Sequence, residues 1–213
     1  MDSASSSAAV AVGSISGLDP EIVALFATPL IFFDIPDAPS LNVELRRVIS
    51  WREKGQASML HSNQGGWQSS PDMDRWGGAP AIKLLAIGRN IANRVTRVRR
   101  NGQEHALSPG HPVVPWKGGM WANVNRSGHA NELHWHRGTY WAGVYYVDDG
   151  GIDADASLGG ELEFVDPRGP VPTMFAPELD VALSGGLSPK HRVSPKAGRL
   201  VMFPAWLMHQ VRP

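Results

Sequence analysis

Hydrophobic and polar positions change their period about halfway along the chain. The first apolar run, Leu30 to Ile35 (LIFFDI), is rich in β-prone residues and bounded by Pro29 and Pro36, which predicts a buried strand. Leu41, Leu45, Val48 and Ile49 then recur at helical steps, with Ser40 placed to cap the helix they define. The segment SNQGGWQSSPDMD from Ser62 to Asp74 is loop chemistry. A second helix is expected from about Ala79, carried by Leu84, Ile87, Ile91, Val95 and Val98 and ended by Asn101-Gly102. Gly88 weakens its middle by about 1 kcal/mol against alanine. Arg94, Arg97, Arg99 and Arg100 fall near its C-terminus, where cations favour the helix dipole, and read as a solvated basic face rather than a nucleic-acid patch.

From Val113 onward the runs become short and β-rich: MWANVN, LHWH, WAGVYYV, ELEFV, LVMFP and MHQV, separated by Gly, Pro and Asp. Such spacing predicts an antiparallel sandwich or barrel, giving a mainly β, α+β chain with helices flanking a jelly roll.

Composition narrows the setting. A chain of 213 residues with 42% hydrophobic content fits one domain, expected over 18–213, behind a flexible Ser/Ala-rich tail at 1–17. That tail has no Lys or Arg before its weakly apolar part, unlike a secretory signal, and no apolar run reaches the roughly 20 residues that span a bilayer. Lys plus Arg equals Asp plus Glu at 20 each, so no net field draws the chain to nucleic acid or an anionic membrane. A soluble, cytoplasmic protein acting on a small molecule or peptide is the expectation. The absence of cysteine leaves histidine and carboxylate as the metal donors available.

Those donors concentrate in NELHWH, Asn131 to His136. In an extended strand residues i and i+2 share a face, so His134 and His136 point to one place, with Glu132 on the same face. Taken alone, the pair also reads as two hydrogen-bonded surface histidines. His209, in FPAWLMH after the apolar run Arg199 to Phe203, is the candidate third ligand, although a single late histidine also reads as a satisfied core residue.

The spacings resemble the cupin pattern: Gly128 stands six before His134, and Gly198, Pro204 and His209 follow the second half. The cupin glutamate ligand is missing where Arg137 to Trp141 stand, and Trp206 replaces a glycine. A broader resemblance starts at Leu25. SNQGGW, MWANVN, NELHWH, GVYYV, GELEFVDPR and FPAWLMHQVRP, in that order, are together similar to the 2-oxoglutarate- and iron(II)-dependent oxygenases related to prolyl 4-hydroxylases.

The resemblance implies a double-stranded β-helix, iron(II), 2-oxoglutarate and dioxygen. The usual triad of that class is two histidines and one carboxylate on one face of the iron. Here His136 takes the carboxylate's place, so His134, His136 and His209 are the expected ligands, with Glu132 or Asp148 as carboxylate substitutes. The resemblance also gives Asn131 a part in holding the cosubstrate, and Asn123 and Asn125, sharing a strand face with Trp121, line the same pocket or serve as strand-end hydrogen bonds. Trp67, Trp121, Trp135 and Trp141 are pocket walls or core. The basic residue that pairs with the far carboxylate of 2-oxoglutarate falls beyond Pro213, so a missing last strand is expected, or else Arg199 or Arg137 serves. Arg168 is a substrate contact or a surface turn. Two other readings of the same residues are a three-histidine metalloenzyme that does not use 2-oxoglutarate and a metal-stabilised binding module.

Overall fold

A computed structural model describes residues 26–100, 103–105, 114–169 and 188–213. The expected tail at 1–17 and the Asn101-Gly102 ending lie outside them. The elements are β1 (Ile31–Asp34), α1 (Ala38–Gly55), β2 (Asn63–Gln64), β3 (Trp67–Gln68), α2 (Met73–Trp76), α3 (Gly78–Val95), β4 (Val98–Arg100), β5 (Gln103–His105), β6 (Asn123–Val124), β7 (Ala130–His134), β8 (Trp141–Tyr145), a 3-10 turn (Ala156–Leu158), β9 (Leu162–Val165), β10 (Lys190–Val193), β11 (Arg199–Pro204) and β12 (His209–Val211).

The run RLVMFP of β11 explains the layering. A strand covered on one face alternates apolar and polar residues, whereas Leu200, Val201, Met202 and Phe203 are all buried. Leu200 and Met202 pack with Ile91 and Ala92 of α3, while Val201 and Phe203 pack with Leu162, Phe164 and Val193 of the opposing sheet. The strand therefore sits in a middle layer, between helix and sheet. Full burial of Val201, Phe203 and Leu162 contributes roughly 1.5–3 kcal/mol each. Strand β11 pairs antiparallel with β1 and β8 to form a three-stranded sheet, and β10-β9-β12-β7-β2 form the five-stranded sheet facing it. This is the expected mainly β jelly-roll arrangement, with helices packed on one side.

Some local expectations give way to packing. LIFFDI forms a strand, but at the sheet margin: Phe32 and Phe33 are 47% and 38% exposed, because only β11 pairs with β1. Helix α1 starts before Ser40, with Pro39 in the first turn, where its fixed φ suits a helix start, and the Asp37 side chain makes no capping bond to the helix. Helix α3 stops at Val95, since Thr96 turns extended and its hydroxyl donates back to the Ala92 carbonyl at 2.6 Å. Val98 thus enters β4, and Arg97, Arg99 and Arg100 lie past the helix rather than at its end.

Gly198 joins the layers. Its φ of +87° favours glycine, and a Cβ there would lie 2.4 Å from the Cβ of Ala38 at the start of α1. Its carbonyl accepts from the Ile35 amide at 2.9 Å and its own amide donates to the Tyr146 carbonyl at 2.8 Å.

Candidate metal centre

The register of β7 against β12 sets His134 directly opposite His209. The ring centroids are 4.4 Å apart, and His136 lies 5.1 Å from each. One nitrogen from each of the three rings lies within 4.8 Å of the others, a group able to hold one metal ion. His136 is past the end of β7 and is placed by its backbone, whose amide donates to the Ala205 carbonyl at 2.9 Å.

The hydrogen bonds select the tautomer that a metal needs. His134 Nδ1 lies 2.6 Å from the Glu132 carbonyl and His209 Nδ1 lies 2.8 Å from the Leu207 carbonyl. A carbonyl only accepts, so each Nδ1 carries the proton and each Nε2 keeps its lone pair free. His209 is buried and wedged against Phe203, with ring centroids 4.7 Å apart, and Phe164, at 6.1 Å. Burial, partly offset by the Leu207 carbonyl and reinforced by the neighbouring histidines, lowers the His209 pKa to about 4. Burial also lowers His136 to about 4, with His134 and His61 adding to it. Both are therefore neutral donors near pH 7, the form in which imidazole binds a metal.

The other sequence candidates separate into those placed at the triad and those engaged elsewhere. From His134 to Asn131 the chain spends three steps on β7 while β12 spends two, from His209 to Val211, which is a bulge. The extra residue brings Asn131 to the inward face, where it is buried and accepts from Asn125 Nδ2 at 2.9 Å. It also turns Glu132 outward, contrary to strict alternation: its carboxylate is exposed and accepts from Gln64 Nε2 at 2.9 Å. Asp148 pairs with Arg46 at the surface. Neither carboxylate joins the histidines.

Asn123 is exposed on β6, opposite Gln68. Trp121 lies 5.6 Å from the His136 ring and is partly exposed, which suits a wall of the site. Trp135 is exposed beneath the Arg137 guanidinium, 5.2 Å from its ring. Trp67 is core, donating to the Gln56 carbonyl, and Trp141 is tied to Thr96. Arg199 is committed to Asp34 by bonds of 2.7 and 3.0 Å, and Arg168 to Asp166. The carbonyls of Glu132 and Leu207 and the packing of Phe203 on His209 were not foreseen. A carbonyl two residues before each ligand is invisible in residue types and follows only from strand-end geometry.

Residues 119–213 match the protein family described as "Putative 2OG-Fe(II) oxygenase". No curated protein matches the chain. Among solved structures, the chain is similar to the crystal structure of a Pseudomonas putida prolyl-4-hydroxylase, with a TM-score of 0.55 and 16% identity over 87% of this chain and 85% of that one. That likeness concerns the fold, a double-stranded β-helix. The matched stretch contains all three histidines of the triad. Among the described residues no helix is long and apolar enough to cross a membrane.

Proposed function

We propose that the protein is a 2-oxoglutarate- and iron(II)-dependent dioxygenase that hydroxylates a small-molecule or peptide substrate, with iron held by His134, His136 and His209. The observation that supports this most strongly is the pair of Nδ1-to-carbonyl bonds, which aim free Nε2 atoms of His134 and His209 at one point. The donor set fits a divalent first-row metal: three neutral imidazoles, two of them kept unprotonated by burial. When bound, iron(II) and 2-oxoglutarate supply the chemistry in which O₂ and 2-oxoglutarate give succinate and CO₂, the second oxygen atom entering a substrate C–H bond to give an alcohol.

The chain's own residues orient and shield. Phe203 and Phe164 hold the His209 ring and exclude water from its inner side. Asn125 fixes the Asn131 oxygen, leaving Asn131 Nδ2 as a donor toward the cosubstrate carboxylate. Of Arg199 and Arg137, it is Arg137, exposed over Trp135, that is left for a distal carboxylate, since Arg199 is neutralised by Asp34.

The test is succinate formation from 2-oxoglutarate by iron(II)-loaded protein. Iron-dependent succinate above the protein-free rate is expected; none would overturn the proposal. A second reading rests on the all-imidazole donor set: a three-histidine metalloenzyme acting on substrate without 2-oxoglutarate. It predicts oxygen uptake that is indifferent to added 2-oxoglutarate.

A further inference from the structure

The five-stranded sheet has a second face, and its charge pattern is not explained by the metal centre. Leu162 and Phe164 of β9 point into the core, so Glu163 between them points outward, as does Gln210 between His209 and Val211 on β12. Yet the Glu163 side chain is only 1% exposed, because residues of the neighbouring strands close over it. Lys190 Nζ donates to it at 2.9 Å, Arg192 Nε at 2.8 Å and Gln210 Nε2 at 2.8 Å, and Arg212 Nη1 lies 3.7 Å away.

One buried carboxylate needs one cation and a few hydrogen bonds to be neutralised. This one has three cations, each with 37% to 52% of its side chain exposed. Arg192 spends only Nε on Glu163, and among the described residues its terminal nitrogens have no partner. Among the described residues the Arg212 side chain makes only the long contact with Glu163. These groups line an open pocket of about 560 Å³, whose far rim is Gln64, Glu132 and Leu133. Glu132 is already bound to Gln64, so among the described residues the groups left open to a ligand are the outer nitrogens of Arg192 and the Arg212 guanidinium.

We propose that this outer face is an anion-binding site, separate from the metal centre, in which Arg192, Arg212 and Lys190 receive a small oxyanion bearing phosphate or carboxylate groups. Glu163 is the positioning residue: from beneath the pocket it holds Lys190 and Arg192 by their inner donors and leaves Arg192's outer nitrogens facing the cavity. A guanidinium fork offered in this way matches both carboxylate and phosphate oxygens. An oxyanion with two oxygens at guanidinium spacing uses the fork, and a halide does not.

The experiment is a titration of ¹⁵N-labelled protein with inorganic phosphate and, separately, with succinate, at constant ionic strength set by chloride. Saturable amide shifts at Glu163, Lys190, Arg192, Gln210 and Arg212 are expected with at least one of the two. The anion that saturates identifies the ligand chemistry as phosphoryl or carboxylate. Arg212→Gln, whose contact with Glu163 is the longest of the set, should keep the rest of the spectrum and weaken binding about tenfold or more. Arg192→Lys, which keeps the charge but loses the fork, should weaken it similarly. Shifts that do not saturate, that spread over all basic surfaces, or that survive unchanged in both variants would overturn the proposal. None of these readouts depends on oxygenase activity, so the two readings fail separately.

Discussion

His134 and His209 face each other in register across β7 and β12, and each turns Nδ1 to the backbone carbonyl two residues earlier on its own chain. The same device on both strands means that the ligand orientation is built by main chain, which side-chain substitutions nearby cannot easily remove.

Substitution of a ligand should therefore act on the metal and little on the fold. His134→Ala should lower iron(II) or cobalt(II) affinity by more than about a hundredfold, beyond the range typical of losing an outer partner. His136→Asp, which restores an anionic donor where half-buried imidazole now stands, should retain binding. Calorimetric titration of the two variants checks this; equal loss in both would mean that His136 contributes nothing a carboxylate can replace.

Phe203 is fully buried, edge-on to Phe164 at 4.9 Å and to His209 at 4.7 Å. Phe203→Ala should cost about 3–5 kcal/mol in chemical denaturation through the cavity it leaves. Phe203→Leu should cost less and still weaken metal binding, because the His209 ring loses its flat wall.

Burial pushes the Glu163 carboxyl up, but the bonds from Lys190, Arg192 and Gln210 outweigh it and hold the pKa down to about 2. A carboxylate depressed from its ordinary 4.5 contributes stability that is complete above that value and lost as pH falls toward 2. Glu163→Gln should thus be destabilised by on the order of 2–3 kcal/mol at pH 7, with the gap to the parent narrowing between pH 4.5 and pH 2. Urea midpoints measured across that range supply the check, and a gap independent of pH would contradict it.

Gly198→Ala adds a methyl group at positive φ against Ala38. A loss of at least about 1 kcal/mol in thermal unfolding is expected, with metal stoichiometry unchanged. Gly128→Ala, also at positive φ but with open space around the added carbon, should cost less.

The layers of the fold were legible because β11 carries four consecutive buried apolar residues and α3 a regular stripe, patterns that burial on two faces and one face impose. The grouping of His134, His136 and His209 was legible because a chain without cysteine leaves histidine and carboxylate as metal donors, and HxH sets two imidazoles one residue apart. What escaped reading depends on register. The bulge in β7 reverses Glu132 and Asn131, and period-2 reasoning has no means of seeing an inserted residue. Nothing in ELEFV marks Glu163 as buried; its burial comes from Lys190, Arg192 and Gln210, residues brought beside it only by strand pairing.

The proposed function requires that three imidazoles hold an iron open to 2-oxoglutarate. Anaerobic addition of iron(II) and then 2-oxoglutarate, followed by visible absorption, tests it most directly. A weak charge-transfer band that saturates at one 2-oxoglutarate per iron and is absent from His134→Ala is expected. Iron bound stoichiometrically with no band at saturating 2-oxoglutarate would contradict it.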